Sequence, residues 1–449
     1  MIPPPCATMI EIMRNELTTV KTAPGEAAAP ETASSEERLP SHPSTSRVLG
    51  LDAARGLAVL GMFAVHIGPP ATSPGAGWME IFAGRSAALF AVLAGVSLAL
   101  LSGGAEPRRG RQGKQAMLRI TVRALVIGAV GLALAQLHTP VMVILPYYAL
   151  YFLLCLPLLR LRWQTLAIMA ATLTVLGPII SFLIRDALGD DASGGSPVFA
   201  NLTSLDGLRS GAQQLFLTGA YPALTWMPFV IAGLALGRYG IRRVRPVMLI
   251  AVGVAVAAIG YLGSWVAMGP LGGHAHLAAM ITKSLSEYGA SLSPQELDAI
   301  ISTTGFGTAP TSSWWWLATT NPHSGTPMEI TGAIGVAFIV IGVLLVAARL
   351  FPTAMRPLIA TGMCAFTLYT LHVLGIRLAL GDPMTLGDSG ASALPPGSLH
   401  QPSWELFGVF AVCSLLGATT WCSVFRRGPL EEVLHQLSTR AAGLLDSRE

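Results

Sequence analysis

The sequence predicts an all-α fold, a polytopic membrane helix bundle of about ten transmembrane helices with both termini cytoplasmic. Three observations predict it. Charged residues make up only 12% of the 449 residues and hydrophobic residues 52%, whereas a soluble domain carries roughly 25% charge. Apolar runs of the roughly 20 residues that a bilayer crossing needs recur along the chain. Lys and Arg crowd alternate connecting loops, as the cytoplasmic side requires. This composition excludes a disordered, fibrous or ordinary cytosolic protein. The formal net charge of +4 points to no nucleic-acid partner. The five cysteines (Cys6, Cys155, Cys364, Cys413 and Cys422) are odd in number, and four lie in apolar runs. They predict neither a disulfide framework nor a metal cluster.

Residues 1–46 are rich in Pro, Ala, Ser, Thr and Glu and read as a disordered cytoplasmic tail. No signal peptide is expected there, because no apolar core follows the charges directly. The runs then fall near 48–68, 82–102, 117–137, 141–160, 164–185, 214–237, 246–268, 328–348, 356–378 and 403–425. Pro146 and Pro157 interrupt the fourth. Residues 437–449 read as a second cytoplasmic tail, which leaves 47–436 as the membrane domain. One set of loops holds Arg108, Arg109, Arg111, Lys114, Arg160, Arg162, Arg238, Arg242, Arg243, Arg245, Arg349 and Arg356. Arg38, Arg47, Arg426 and Arg427 place both tails in that set. The alternate loops hold Arg209 and Lys283, with Arg85, Arg185 and Arg377 at span ends. The long loops 186–213, 269–327 and 379–402 are therefore outside. In the largest, Ser293, Pro294 and Glu296 predict a capped short helix. Trp314, Trp315 and Trp316 predict an interfacial anchor.

Ionisable residues inside a span are expensive and face the bundle interior. At 100° per residue, Asp52, Arg55 and His66 share one helical face, with Arg55 and His66 ~16 Å apart along the axis. Asp52 and Arg55 lie toward the cytoplasm, and His66 lies near the outer surface. An interior ion pair with a hydrogen-bonded interfacial histidine accounts for the stripe structurally. Functionally, it suits a channel entered by a long anionic donor from the cytoplasm, with the reacting end at His66.

RVLGLDAARGLAVLGMFAVH (47–66) resembles the first span of the transmembrane acyltransferase superfamily. That group includes the heparan-alpha-glucosaminide N-acetyltransferase-like proteins and the bacterial O-acetylases of surface polysaccharides. GRSAALFAVLAGVSLAL (84–100) resembles their second span. TGAYPALTWMPFVIAGLALGR (218–238), NPHSGTPMEITGAIG (321–335), PLIATGMCAFTLYTLH (357–372) and FRRGPLEEVL (425–434) resemble the bacterial YeiB-type branch, which carries a domain of unknown function numbered 418. The resemblance implies a transmembrane acyltransferase-like domain over 47–436 in the bacterial inner (plasma) membrane. It also implies transfer of an acyl group, most simply acetyl, from acyl-CoA to a hydroxyl or amine of an extracytoplasmic glycan or lipid-linked sugar. His66 falls on the histidine that ends the first span in the O-acetylases. The lysosomal relatives have asparagine there and a histidine in the following loop, which this chain lacks between 68 and 81.

The expected catalytic residues are His66, His323 and His372; Asp52 and Arg55 are expected at the donor, and Arg85 and Glu329 at the acceptor or oxyanion. Histidine suits general-base chemistry near neutral pH, and an arginine suits a developing oxyanion. Structural roles compete for His323 and Glu329 at a loop–helix junction and for His372 between spans. His274 and His276 make only a weak metal pattern, so no metal and no permanently bound cofactor is expected. The expected partners are the bilayer, acyl-CoA and the acceptor, and the sequence allows a homodimer. A secondary transporter or lipid-intermediate flippase is the competing function, and a membrane scaffold without chemistry is a third.

Overall fold

The computed structural model describes residues 47–189, 195–380 and 401–445. The expected tail 1–46, most of the loop 379–402 and residues 446–449 lie outside the described residues. Among the described residues every regular element is helical. In chain order these are α1 (Leu49–Ile67), α2 (Arg85–Leu101), α3 (Gly110–Ala135), α4 (Leu145–Cys155), α5 (Trp163–Leu188), α6 (Leu205–Gln213), α7 (Ala223–Tyr239) and α8 (Pro246–Met268). There follow α9 (Gly273–Glu287), α10 (Pro294–Thr303), α11 (Pro327–Leu350), α12 (Arg356–Met363), α13 (Ala365–Leu380), α14 (Trp404–Val424) and α15 (Pro429–Gly443).

All ten apolar runs fall on helices, but they are not ten equal spans. Seven are continuous and apolar enough to cross a membrane, and two more qualify as bent pairs. One pair bends by 59° between Leu205–Thr218 and Ala223–Tyr239, the other by 80° between α12 and α13. The fourth run is an 11-residue α4 extended by a 3-10 turn at Pro157–Arg160. Proline cannot continue the α-helical ladder, so the helix ends there. The two pieces together reach ~24 Å, against a hydrocarbon core of ~30 Å.

Packing is close because glycine faces backbone at the crossings. A Cβ on Gly95 of α2 would stand 1.9 Å from the Val230 carbonyl oxygen of α7, and one on Gly233 would stand 1.9 Å from that of Val92. Gly362 of α12 meets the Asp52 carbonyl oxygen of α1 in the same way, at 1.7 Å. Small residues let helix backbones approach where lipid supplies no hydrophobic drive. Helix α8 runs along α11, α5 along α7, and α15 lies against α3. The expected boundary at 436/437 falls inside α15, so the chain past 436 continues a helix whose Leu434, Ser438 and Ala442 are buried.

The large loop 269–327 folds on itself. Ser293 and Glu296 form the expected reciprocal cap of α10, and those hydrogen bonds hold the Glu296 carboxyl below its ordinary pKa. Of the three tryptophans expected as an anchor, Trp314 is exposed and Trp316 is not. Trp316 is buried with Leu277, Ile301 and Ala309 in a small core of the loop, and Trp314 packs on Phe182. His274 pairs with Asp298 at 3.0 Å. Among the described residues no group of three or more His, Cys, Asp or Glu side chains could hold a metal ion, and no disulfide joins the four cysteines there. Cys364 and Cys422 nonetheless approach to 3.6 Å between sulfurs at the α12–α13 break.

Candidate active site

Helix ends build the site. The C-terminal end of α1 brings His66, and the N-terminal ends of α2, α4, α7 and α11 converge on it. They line a partly open pocket with about 350 Å³ of atom-free space, its mouth included. Its lining includes Met62, His66, Ser86, Tyr221, His323 and Tyr369.

His66 and His372 form a dyad. His66 Nδ1 lies 3.2 Å from His372 Nε2, and the rings stack at 5.1 Å. One nitrogen must donate and the other accept, so the pair shares a proton between neutral rings. When His66 Nδ1 donates, its Nε2 holds a free lone pair. His372 is buried, its Nδ1 has no hydrogen-bond partner, and Phe63, Tyr369 and Phe410 surround the ring. Tyr369, one turn before His372, accepts the Ile144 N–H at 3.3 Å and so ties α13 to the start of α4.

His323 closes the pocket from the loop before α11. Its backbone is left-handed, φ 63°, a conformation rare for residues other than glycine and costing about 1–3 kcal/mol. The Gly307 N–H donates to its carbonyl at 2.8 Å, and Gly84 packs so closely that a Cβ there would stand 3.1 Å from the His323 nitrogen. Phe306, Tyr221 and Trp226 ring the imidazole at 4.9–5.9 Å. Burial among them pushes its pKa down to about 4, and the His66 charge is a smaller cause. Its Nδ1 is also unpartnered.

Arg85 donates to Tyr261 Oη at 2.9 Å, and its guanidinium lies over the same ring. Glu329 is buried at the start of α11 with Oε2 unpartnered, and the Arg85 charge acts on it. Neither lines the pocket, so they stand behind the histidines.

Asp52 and Arg55 pair at the opposite end, and Arg55 donates to Ser97 Oγ at 2.8 Å. Ser97 and Ser86 are eleven residues apart on α2, the same interval that separates Arg55 from His66 on α1. The two helices are antiparallel: Arg55 meets Ser97 at one end, and at the other Ser86, whose Oγ has no hydrogen-bond partner, lines the pocket with His66. Between them, Val59 and Met62 lie buried on the same face of α1. The stripe is continuous as a helical face, and apolar side chains fill its middle.

Residues 47–267 match the family model described as heparan-alpha-glucosaminide N-acetyltransferase, catalytic, and residues 298–441 match that of a protein of unknown function (DUF418). Both matches fall in the heparan-alpha-glucosaminide N-acetyltransferase-like and YeiB-type family. No curated protein matches it. The boundary between the two matched segments, 268–297, falls in the long loop after α8. The N-acetyltransferase-like segment carries His66, Asp52, Arg55 and Arg85, and the DUF418 segment carries His323, Glu329 and His372. The dyad therefore joins one residue from each segment.

Sequence reasoning passed over two residues. Glu431, at the start of α15, accepts from the Phe366 N–H at 2.6 Å, the Thr367 N–H at 3.2 Å and the Thr367 hydroxyl at 2.6 Å. It caps α13, the helix that carries His372, across the α12–α13 break. Its segment, FRRGPLEEVL, drew notice only as a resemblance. Arg238 is the other. It ties the ends of α2, α7 and the turn after α4 by donating to the carbonyls of Ala99, Gly104 and Leu159 and to Ser102 Oγ. In the sequence it counted only as a loop charge and as the last residue of a segment that carries the resemblance.

Proposed function

We propose that the protein is a membrane acyltransferase that moves an acyl group, most simply acetyl from acetyl-CoA, to a hydroxyl or amine of an extracytoplasmic glycan or lipid-linked sugar. The His66–His372 dyad beside a partly open pocket carries this reading. His66 Nε2 takes the proton from the acceptor oxygen or nitrogen as that atom attacks the thioester carbonyl. His372 accepts the His66 Nδ1–H bond, fixes its tautomer and shares the positive charge that develops. The carbonyl oxygen gains negative charge, and collapse of the tetrahedral intermediate expels CoA thiolate. Arg85 and Glu329 set the local charge from behind the histidines.

Asp52 and Arg55 are the donor-side residues. Their end of the bundle is ~16 Å from His66 along α1, a distance that suits an extended donor arm. Met62 bounds the pocket toward that end and must move for the arm to reach His66.

We place both termini on the cytoplasmic side of a bacterial inner membrane, with ten crossings. The support lies in α4 and its 3-10 turn. Ile144 lines the His66 pocket, and the Leu159 carbonyl meets Arg238 at the opposite end, beside the end of α2. The short fourth element thus runs between the same two levels as α2.

One observation favours a transporter as second reading. The fourth span is interrupted, and so is the ninth, at α12–α13; these are corresponding places in two halves of five, and paired broken helices mark transporter sites. Purified protein with labelled acetyl-CoA, a mixed envelope extract as acceptor and a thiol readout separates the two. Donor binding with CoA release supports the transferase. Binding or uptake without thiol release supports transport.

A further inference from the structure

The proposed reaction leaves unused a cluster of positive charge beside α3. Arg119 and Arg123 stand four residues apart on α3 and so share one face. Like charges at that spacing destabilise a helix. Both side chains are half-buried, and both Nε atoms are buried without a hydrogen-bond partner. Among the described residues no carboxylate pairs with either.

Helix α15 lies along this part of α3 and adds charge of the same sign. The charges of Arg427 and Arg119 both act on Arg123, and those of Arg427, Arg123 and Arg119 all act on His435. Four basic groups therefore share one locus. The carboxylate facing them is Glu432, which binds Arg427 at 3.0 Å and Gln436 at 3.1 Å. Its neighbour Glu431 is turned away onto the N-terminus of α13. Three guanidinium groups against one carboxylate leave a surplus of cation in a partly desolvated groove. Arg119 and Arg123 lie ~14 and ~20 Å along α3 from its N-terminus, where long basic side chains extend toward a headgroup region.

We propose that the groove between α3 and α15 is a phosphate-binding site, in which Arg119, Arg123 and Arg427 receive a phosphate mono- or diester. Guanidinium forks match phosphate oxygens two at a time, and a desolvated site strengthens each bond. The phosphate belongs to an anionic phospholipid headgroup or to a soluble molecule such as CoA. A ligand that fixes α15 on α3 also fixes α13 through Glu431, and with it His372.

The test uses the full-length protein in detergent, with two probes. Native mass spectrometry with equimolar phosphatidylglycerol and phosphatidylcholine reads the headgroup. Equilibrium dialysis with labelled CoA reads the soluble phosphate. Wild-type protein should bind at least one phosphate probe saturably and in preference to phosphatidylcholine. Arg119→Gln with Arg123→Gln should weaken that binding tenfold or more, and the paired Lys substitutions should largely retain it. Binding in the lipid arm alone assigns the headgroup, and in the dialysis arm alone the soluble phosphate. The lipid result stands apart from the acyl-transfer reading, which thiol release reports separately. Should the Gln pair fail to fold, Arg427→Gln at the exposed rim should still weaken binding about threefold. The proposal is overturned when wild-type protein binds neither probe, or when the Gln variant that folds binds as wild type.

Discussion

Where α2 ends, Arg238 is held by four acceptors and Asp52 and Arg55 hold each other; where α1 ends, His66 pairs with His372 and shares a pocket with His323, and the Nδ1 atoms of His372 and His323 are unpartnered. Both ends place ionisable groups inside an apolar bundle. The first meets them with helix-end carbonyls and a counter-charge, leaving only the Arg238 Nε without a partner, which is close to what stability requires. The second leaves titratable nitrogens facing a pocket, which carries a standing cost unless a ligand or a proton uses them. Under the proposed function, the difference separates an end that holds the bundle from an end that carries the reaction.

His66→Ala should give the largest effect on this contrast. It should lower acyl transfer by ~10²–10⁴-fold with normal membrane expression and donor binding. Thiol release from the purified variant checks it, and a rate near wild type would shift the assignment to His323 or His372. Arg238→Ala should act on the opposite quantity. It strands buried carbonyls at three helix ends and should cost roughly 3 kcal/mol or more of stability. Thermal unfolding in detergent reads the loss, while turnover per folded molecule should stay close to wild type. A folded variant with lost turnover would break the division between the two ends.

His372→Ala should be intermediate in activity. Losing the acceptor that orients His66 removes about 1–3 kcal/mol, or roughly 5- to 150-fold in rate. Turnover should fall without loss of donor binding.

The pH dependence of stability sharpens the comparison further. His323 has a folded pKa lowered to about 4 from the model-peptide value of 6.5. Below about 6.5 the unfolded chain takes up a proton that the folded chain refuses until about 4, so stability falls as pH falls through that window. The slope is at most ~1.4 kcal/mol per pH unit for one proton. Melting curves of wild type and His323→Gln from pH 7 to 4 should diverge across that window and run parallel above it. The smallest effect belongs to Glu431→Gln, which weakens the cap on α13 by about 1 kcal/mol. It should lower the melting temperature slightly and affect turnover only through His372.

Much of this was legible in the sequence. The apolar runs located every long helix, because hydropathy over twenty residues is a strong local signal. The stripe of Asp52, Arg55 and His66 was legible because helical periodicity fixes a face. The break in the fourth run was legible from Pro157, but the two bent pairs were not. The α12–α13 bend falls at Met363–Cys364 with no proline at the break, and a carboxylate 65 residues away caps the new helix. The dyad was also out of reach, since His66 and His372 are separated by 306 positions and meet only through packing. Each histidine was identifiable by its span end, but their proton sharing was not. Arg119 and Arg123 sat inside an apolar run and drew no notice, because the helix that faces them comes from the end of the chain.

The central claim is that the two ends serve one reaction across the membrane, with the donor entering at Asp52 and Arg55 and the acceptor used at His66. Inside-out membrane vesicles carrying the protein test it when labelled acetyl-CoA is supplied outside. The account predicts label in acceptor material enclosed by the vesicle, free CoA left outside, and neither in His66→Ala vesicles. Label appearing on external acceptors, or equal enclosed label in the variant, would contradict it.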